Sequence, residues 1–190
     1  MPIHRLHPSR TALLVIDLQE RMMPTIHGAD AVVMNTVAMM EIAKALSIPI
    51  ILTEQYTKGL GKSVPTISNA LPPDAHVFEK SRFSALTADV DRTLSALGRS
   101  DVLICGIEAH VCVLQTTLDL LATGRQVYLV SDAISSSEPE QGNHAIRRME
   151  RNGAVTSGVL SASYELMQDA NHPAFKAVLT AVKSRLPSAH

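Results

Sequence analysis

Short apolar runs alternate along this chain with longer stretches in which apolar residues recur every three or four positions. The runs predict strands near residues 11–17, 49–53, 76–79, 101–106, 126–131 and 154–158. Several, such as Leu13-Leu-Val-Ile16 and Val102-Leu-Ile-Cys105, are apolar without a break, the pattern of strands covered on both faces. Helical spacing predicts helices near 30–46, 87–97, 112–123, 139–151 and 172–186. Gly124 and Gly153 stand where two of these should stop, since glycine readily takes the left-handed conformation that ends a helix. Ser137-Glu-Pro-Glu140 reads as a capping box with proline inside the first turn. The last helix would carry Phe175, Val178, Leu179, Val182 and Leu186 on one face. Strand and helix in alternation predict an α/β fold, a parallel sheet with helices on both sides. No repeat, low-complexity tract or linker divides the chain, so residues 1–190 are expected to form one domain.

One segment breaks the rhythm. Residues 55–73 hold Gly59, Gly61, Pro65, Pro72 and Pro73 and show little periodicity. A connection this long is usually functional or interfacial. A lid or subunit contact and a plain surface excursion both fit it, and short helical turns within it are allowed. Gly59-Leu-Gly-Lys-Ser63 imitates the end of a phosphate-binding loop, but Tyr56 stands where that motif needs its first glycine. No glycine-rich dinucleotide fingerprint follows the first strand either.

Composition narrows the function. The apolar share is 46% and the charged share 18%, which suits a packed globular chain. A net charge of −1 and an aromatic share of 3%, with no Trp, offer little to a nucleic acid or a membrane surface. Cys105 and Cys112 are seven apart, which is neither a redox nor a zinc spacing. Cys105 lies inside an apolar strand and is expected to be buried and inert. Two cysteines do not make a disulfide scaffold, so a reducing, cytoplasmic location is expected. The first apolar run, from Ala12 to Ile16, is too short for a signal peptide or a membrane span. Met34, Met39 and Met40 are expected as core or subunit-interface filler.

The candidate chemistry sits at the ends of the apolar runs. Asp17 ends the first, Lys80 ends His76-Val-Phe-Glu-Lys80, and Cys112 follows the run that stops at Gly106. In open parallel sheets, ligands bind outside the carboxyl ends of the strands, where the strand order reverses. If the first and fourth strands are neighbours, Asp17 and Cys112 face each other there. A free thiol is only slightly ionised at neutral pH. An ammonium and the first amides of a helix lower its pKa, and a carboxylate can take its proton. These roles give Cys112 as nucleophile, Asp17 as general base and Lys80 as their electrostatic partner. The turn from Gly106 to Cys112 can offer N–H groups to an oxyanion. His110, two residues before Cys112, either lines the pocket or packs in the turn. Each residue taken alone also has a bland role, as turn former, solvated charge or small core residue.

Four segments together add a resemblance. Val15-Ile-Asp-Leu-Gln19, Thr53-Glu-Gln55, Glu79-Lys-Ser-Arg-Phe-Ser-Ala85 and Gly106-Ile-Glu-Ala-His-Val-Cys-Val113 resemble the isochorismatase-like cysteine hydrolase superfamily. The likeness runs from about residue 10 to about residue 180 and is closest to the isochorismatase domain-containing proteins. It implies a three-layer α/β/α, Rossmann-like fold around a six-stranded parallel sheet. It also implies an Asp–Lys–Cys triad, on Asp17, Lys80 and Cys112, and a cis peptide at Ile107–Glu108. That bond would turn the N–H groups of Glu108 and Cys112 toward an oxyanion, with Gln19, Phe83, Ile107 and His110 around the pocket. Nicotinamidases of the superfamily bind a metal through an Asp-x-His motif after the second strand. Here that place reads Thr53-Glu-Gln-Tyr-Thr57, without histidine, so neither metal nor cofactor is expected. Isochorismatases proper lack the nucleophilic cysteine. The expectation is therefore an amide-type (EC 3.5.1-type) hydrolase acting on a small-molecule substrate, in a homo-oligomer. A non-catalytic binding protein of the same fold and an ether hydrolase are the alternatives.

Overall fold

A computed structural model describes residues 5–185. The six strands are β1 (Thr11–Ile16), β2 (Ile50–Gln55), β3 (His76–Lys80), β4 (Asp101–Gly106), β5 (Gln126–Ile134) and β6 (Val155–Ser157). They form one parallel sheet in the order β3-β2-β1-β4-β5-β6. The sheet explains the unbroken apolar runs. In β1, Leu13 and Val15 enter one core cluster while Ala12, Leu14 and Ile16 enter the other. In β4, Leu103 and Cys105 separate in the same way from Val102 and Ile104. Side chains alternate across a strand, so a strand covered on both sides must be apolar at every position.

Helices supply the two covers. The first core cluster takes its outer layer from α1 (Ala29–Ala45), α7 (Val159–Met167) and α8 (Phe175–Ser184). The second takes it from α4 (Ala88–Ala96), α5 (Leu114–Ala122) and α6 (Pro139–Arg151). The result is a three-layer α/β/α fold. Met39 and Met40 are fully buried in the first cluster, whereas Met34 is 40% exposed.

Several sequence expectations shift. β5 runs on to Ile134, and α7 was not anticipated at all. The first free N–H of α7, from Val159, donates to Asp132 Oδ1 at 2.9 Å. That cap comes from β5, 27 residues away, so no local capping signal precedes the helix. Residues 55–73 contain α2 (Thr57–Leu60) and α3 (Pro65–Ala70), the short helical turns that the segment allowed. The capping box at Ser137 does not form, and the residue preceding α6 is Glu138. Ser137 instead donates its N–H and its hydroxyl to Glu108 Oε2, at 2.7 and 2.6 Å. Of the face expected on the last helix, Val178 and Val182 are buried, and Leu186 lies outside the described residues.

Candidate active site

The strand order reverses between β1 and β4, which are neighbours paired Ile16 to Gly106 at their carboxyl ends. Gly106 permits the close approach. Its φ is 129°, and a Cβ on it would run into the Ile16 carbonyl oxygen. The next residue, Ile107, donates its N–H to that oxygen at 3.0 Å. Asp17 follows β1 with φ 55°, the left-handed region, which aspartate enters more easily than most residues. Its N–H donates to Thr53 O at 3.1 Å, and the kink points its carboxylate under the crevice.

Lys80 closes the cluster. Its ammonium donates to Asp17 Oδ2 at 2.6 Å, Gln55 Oε1 at 2.8 Å and Phe83 O at 3.0 Å, and it lies 3.6 Å from Cys112 Sγ. Thr53 Oγ1 donates to the other Asp17 oxygen at 2.8 Å. Three groups far apart in sequence thus meet at one end of the sheet.

The local setting of Cys112 differs from the sequence reading. It does not open a helix. It lies inside a wide turn, Ala109–Val113, in which Val113 N–H reaches Glu108 O at 3.2 Å, and α5 begins only at Leu114. The residue is 3% exposed. Burial pushes the thiol up to about 12; the Asp17 charge pushes the same way and Lys80 only partly opposes them. Burial likewise raises the Asp17 carboxyl above its ordinary value, against the pull of Lys80 and Thr53. Burial thus works against the help that Lys80 gives to ionisation, and a general base is needed to take the thiol proton. At about 12 the sulfur keeps its proton at neutral pH, and beside it Asp17 pairs with Lys80. Cys105 is fully buried, and burial drives its thiol higher still.

The remaining candidates divide. The Ile107–Glu108 peptide is cis. Among the described residues, no partner is seen for the Glu108 N–H. Phe83 borders the cluster through its carbonyl on Lys80 and is 53% exposed. His110 is half-buried, with Nδ1 3.0 Å from Ser136 Oγ. Ile107 and Gln19 are fully buried, and neither offers surface to a pocket. Gln19 spends its side chain on backbone, accepting from Gln55 N–H at 2.7 Å and donating to Gln55 O at 2.9 Å and Gly61 O at 2.6 Å. Sequence reasoning used Thr53-Glu-Gln55 only as a segment of the resemblance and gave its residues no role in the site, because a polar residue at a strand end carries no mark of the partner it will meet. A roomy surface recess of about 650 Å³ lies elsewhere, lined by Glu41, Lys44, Lys176 and Thr180. It holds none of Asp17, Lys80 and Cys112, so the chemistry, not the volume, locates the candidate site.

The end of β2 does not fit a metal. Glu54 is committed to Ser63 N–H at 2.8 Å, Ser63 Oγ at 2.9 Å and Lys62 Nζ at 2.9 Å, and Gln55 is committed to Lys80. No three of His, Cys, Asp and Glu converge on a metal position among the described residues.

Comparison with known proteins bears on the family and the fold. The isochorismatase domain family matches residues 11–159. The secreted isochorismatase effector Isc1 of Phytophthora sojae is 41% identical over 96% of this chain and 89% of its own length. Isochorismatase domain-containing protein 2 of Danio rerio is 38% identical over 93% and 88%. Among solved structures, the MAR1 ribonuclease of Caenorhabditis elegans superposes with a TM-score of 0.92 at 37% identity, over 98% of this chain and 95% of that one. The YcaC gene product of Escherichia coli, described as an octameric hydrolase of unknown specificity, also reaches 0.92, at 25% identity over 98% and 93%. With a family match across most of its length and full-length relatives well above 30% identity, this chain belongs to the isochorismatase family.

Proposed function

We propose that this member of a hydrolase family is a metal-independent cysteine hydrolase that cleaves the C–N bond of a small carbonyl compound through a thioester. One observation carries the reading: a single ammonium lies 2.6 Å from a carboxylate and 3.6 Å from a thiol. Since the thiol rests protonated, Asp17 removes the Sγ proton as sulfur attacks the carbonyl carbon. The C=O electron pair moves to oxygen, where the Glu108 and Cys112 N–H groups would receive it. When the tetrahedral species collapses, the C–N bond breaks and the amine leaves with the proton held by Asp17. Water then adds to the thioester, giving its proton to Asp17. The acid departs, and the proton returns to sulfur. Lys80 stays charged throughout.

The test is a mass-shift screen against a panel of small amides. The expected result is an acyl adduct on Cys112, lost together with turnover in Cys112→Ala while the circular dichroism stays that of wild type. Full turnover of a confirmed substrate by Cys112→Ala overturns the mechanism.

A second reading, a ligand-binding protein without efficient turnover, draws on the 3% exposure of Cys112 and its high pKa. Ligands that bind stoichiometrically and leave no adduct would favour it. Ether hydrolysis of the isochorismatase type fits less well, because it gives the sulfur no task. The ribonuclease name belongs to the worm relative; here a net charge of −1 and a buried thiol suit acyl transfer better than phosphodiester cleavage. No described helix is long and apolar enough to cross a membrane. Two free thiols favour a reducing compartment, and the octameric neighbour favours a homo-oligomer.

A further inference from the structure

We infer that Gln55 is a positioning residue of the triad: its side-chain oxygen holds the Lys80 ammonium in place, so that the proton moves between Cys112 and Asp17 alone. The inference rests on the cysteine-hydrolase reading. Donor counting is its first support. An ammonium has three N–H groups, and five acceptors surround this one; the three shortest contacts are to Asp17 Oδ2 at 2.6 Å, Gln55 Oε1 at 2.8 Å and Phe83 O at 3.0 Å, ahead of Arg82 O at 3.4 Å and Cys112 Sγ at 3.6 Å. The sulfur, at 3.6 Å, is the most distant of the five and competes least well for a donor. Without Gln55, one donor is free to turn toward Asp17 or the sulfur, and Lys80 ceases to be a fixed charge.

The orientation of Gln55 is itself fixed. Its Nε2 donates to Ser81 O at 2.9 Å. A flipped amide would set NH₂ against the ammonium and oxygen against a carbonyl, so only one orientation is satisfied. Its backbone is gripped on both sides by Gln19, which also holds Gly61 O at 2.6 Å. The connection at 55–73 is thereby tied to the position of Lys80 through two glutamines, and Gln19 acts one step behind Gln55.

Iodoacetamide alkylation of Cys112, followed by intact mass across a pH series on the full chain, tests the assignment. The reaction follows ionisation of Asp17, the acceptor of the thiol proton, so its acid limb has a midpoint. A change in access scales the plateau and leaves that midpoint alone. Gln55→Glu places a second carboxylate on Lys80 and weakens its hold on Asp17. Its midpoint should rise by about one pH unit, or about tenfold in rate on the limb. Gln55→Met removes the acceptor without adding charge, and the midpoint should fall, by about two- to threefold in rate. Opposite signs are the signature; packing damage alone moves neither. If Gln55→Glu does not fold, the fall in Gln55→Met still decides. If both variants keep the wild-type midpoint while folded Cys112 reacts differently from the same thiol in urea, the nucleophile stands and the Gln55 assignment falls. If folded Cys112 behaves as it does in urea, the hydrolase reading fails and takes this one with it.

Discussion

Asp17 and Cys112 share one exchangeable proton, and burial decides where it rests. A thiol at about 12 beside a raised carboxyl keeps the proton on sulfur at neutral pH. Activity should therefore rise with pH as Asp17 ionises, along a limb displaced above the ordinary value of 3.8; a pH–rate profile in Asp17→Asn should lose that limb. Stability runs the other way. A carboxyl raised in the fold contributes most below its unfolded value, and that contribution is lost as pH rises through its folded value. Glu54 has the opposite sign. Burial tends to raise it, but Ser63 and Lys62 together hold it below the ordinary 4.5. Its contribution is present above 4.5 and lost as pH falls through its folded value. Glu54→Gln should thus cost about 1–3 kcal/mol at neutral pH and flatten the acid side of a stability–pH curve from urea melts. The triad was legible because Asp17 and Lys80 each break an apolar run and Cys112 follows one at a glycine turn. Gln55 and Glu54 were not, since their partners lie 25 and 9 residues away and are chosen by the sheet. The rise of the Cys112 thiol was not legible for a related reason: charge is visible in a sequence, whereas the depth at which it is buried is not.

The elements were read best where both faces are buried. β1 and β4 stood out as unbroken apolar runs, and the alternation with helices implied their parallel sense. α7 stayed hidden because its cap, Asp132, comes from another strand. The wide turn at 109–113 continues the helical pattern that follows it, so periodicity placed Cys112 inside the helix. Gly106 bears most directly on the site. Any side chain there meets the Ile16 carbonyl at a φ that only glycine accepts readily. Gly106→Ala is expected to cost at least about 2 kcal/mol and to part β1 from β4 at their carboxyl ends. Denaturant melts measure the first effect, and loss of Cys112 acylation reports the second.

At the scale of the molecule, full-length relatives and near-complete superposition place the chain in its family, while its substrate is left to the screen. Val77, Phe83, Leu160 and Tyr164 are each at least 42% exposed, and an octameric neighbour offers a precedent for covering such surface. Light scattering should give a mass that is a multiple of 20.5 kDa; a monomer across the micromolar range would exclude self-association.

The placing of β1 has one last consequence. It is the seam between two wings of the sheet. One wing, β2 and β3, delivers the ammonium; the other, β4 to β6, delivers the sulfur; and the carboxylate sits on the stitch itself. Slip at the β1–β4 pairing would open the nitrogen-to-sulfur gap and leave the Asp17–Lys80 ion pair in place. Thiol reactivity is thus a strain gauge for the sheet, able to register a distortion anywhere along the seam before the protein begins to unfold.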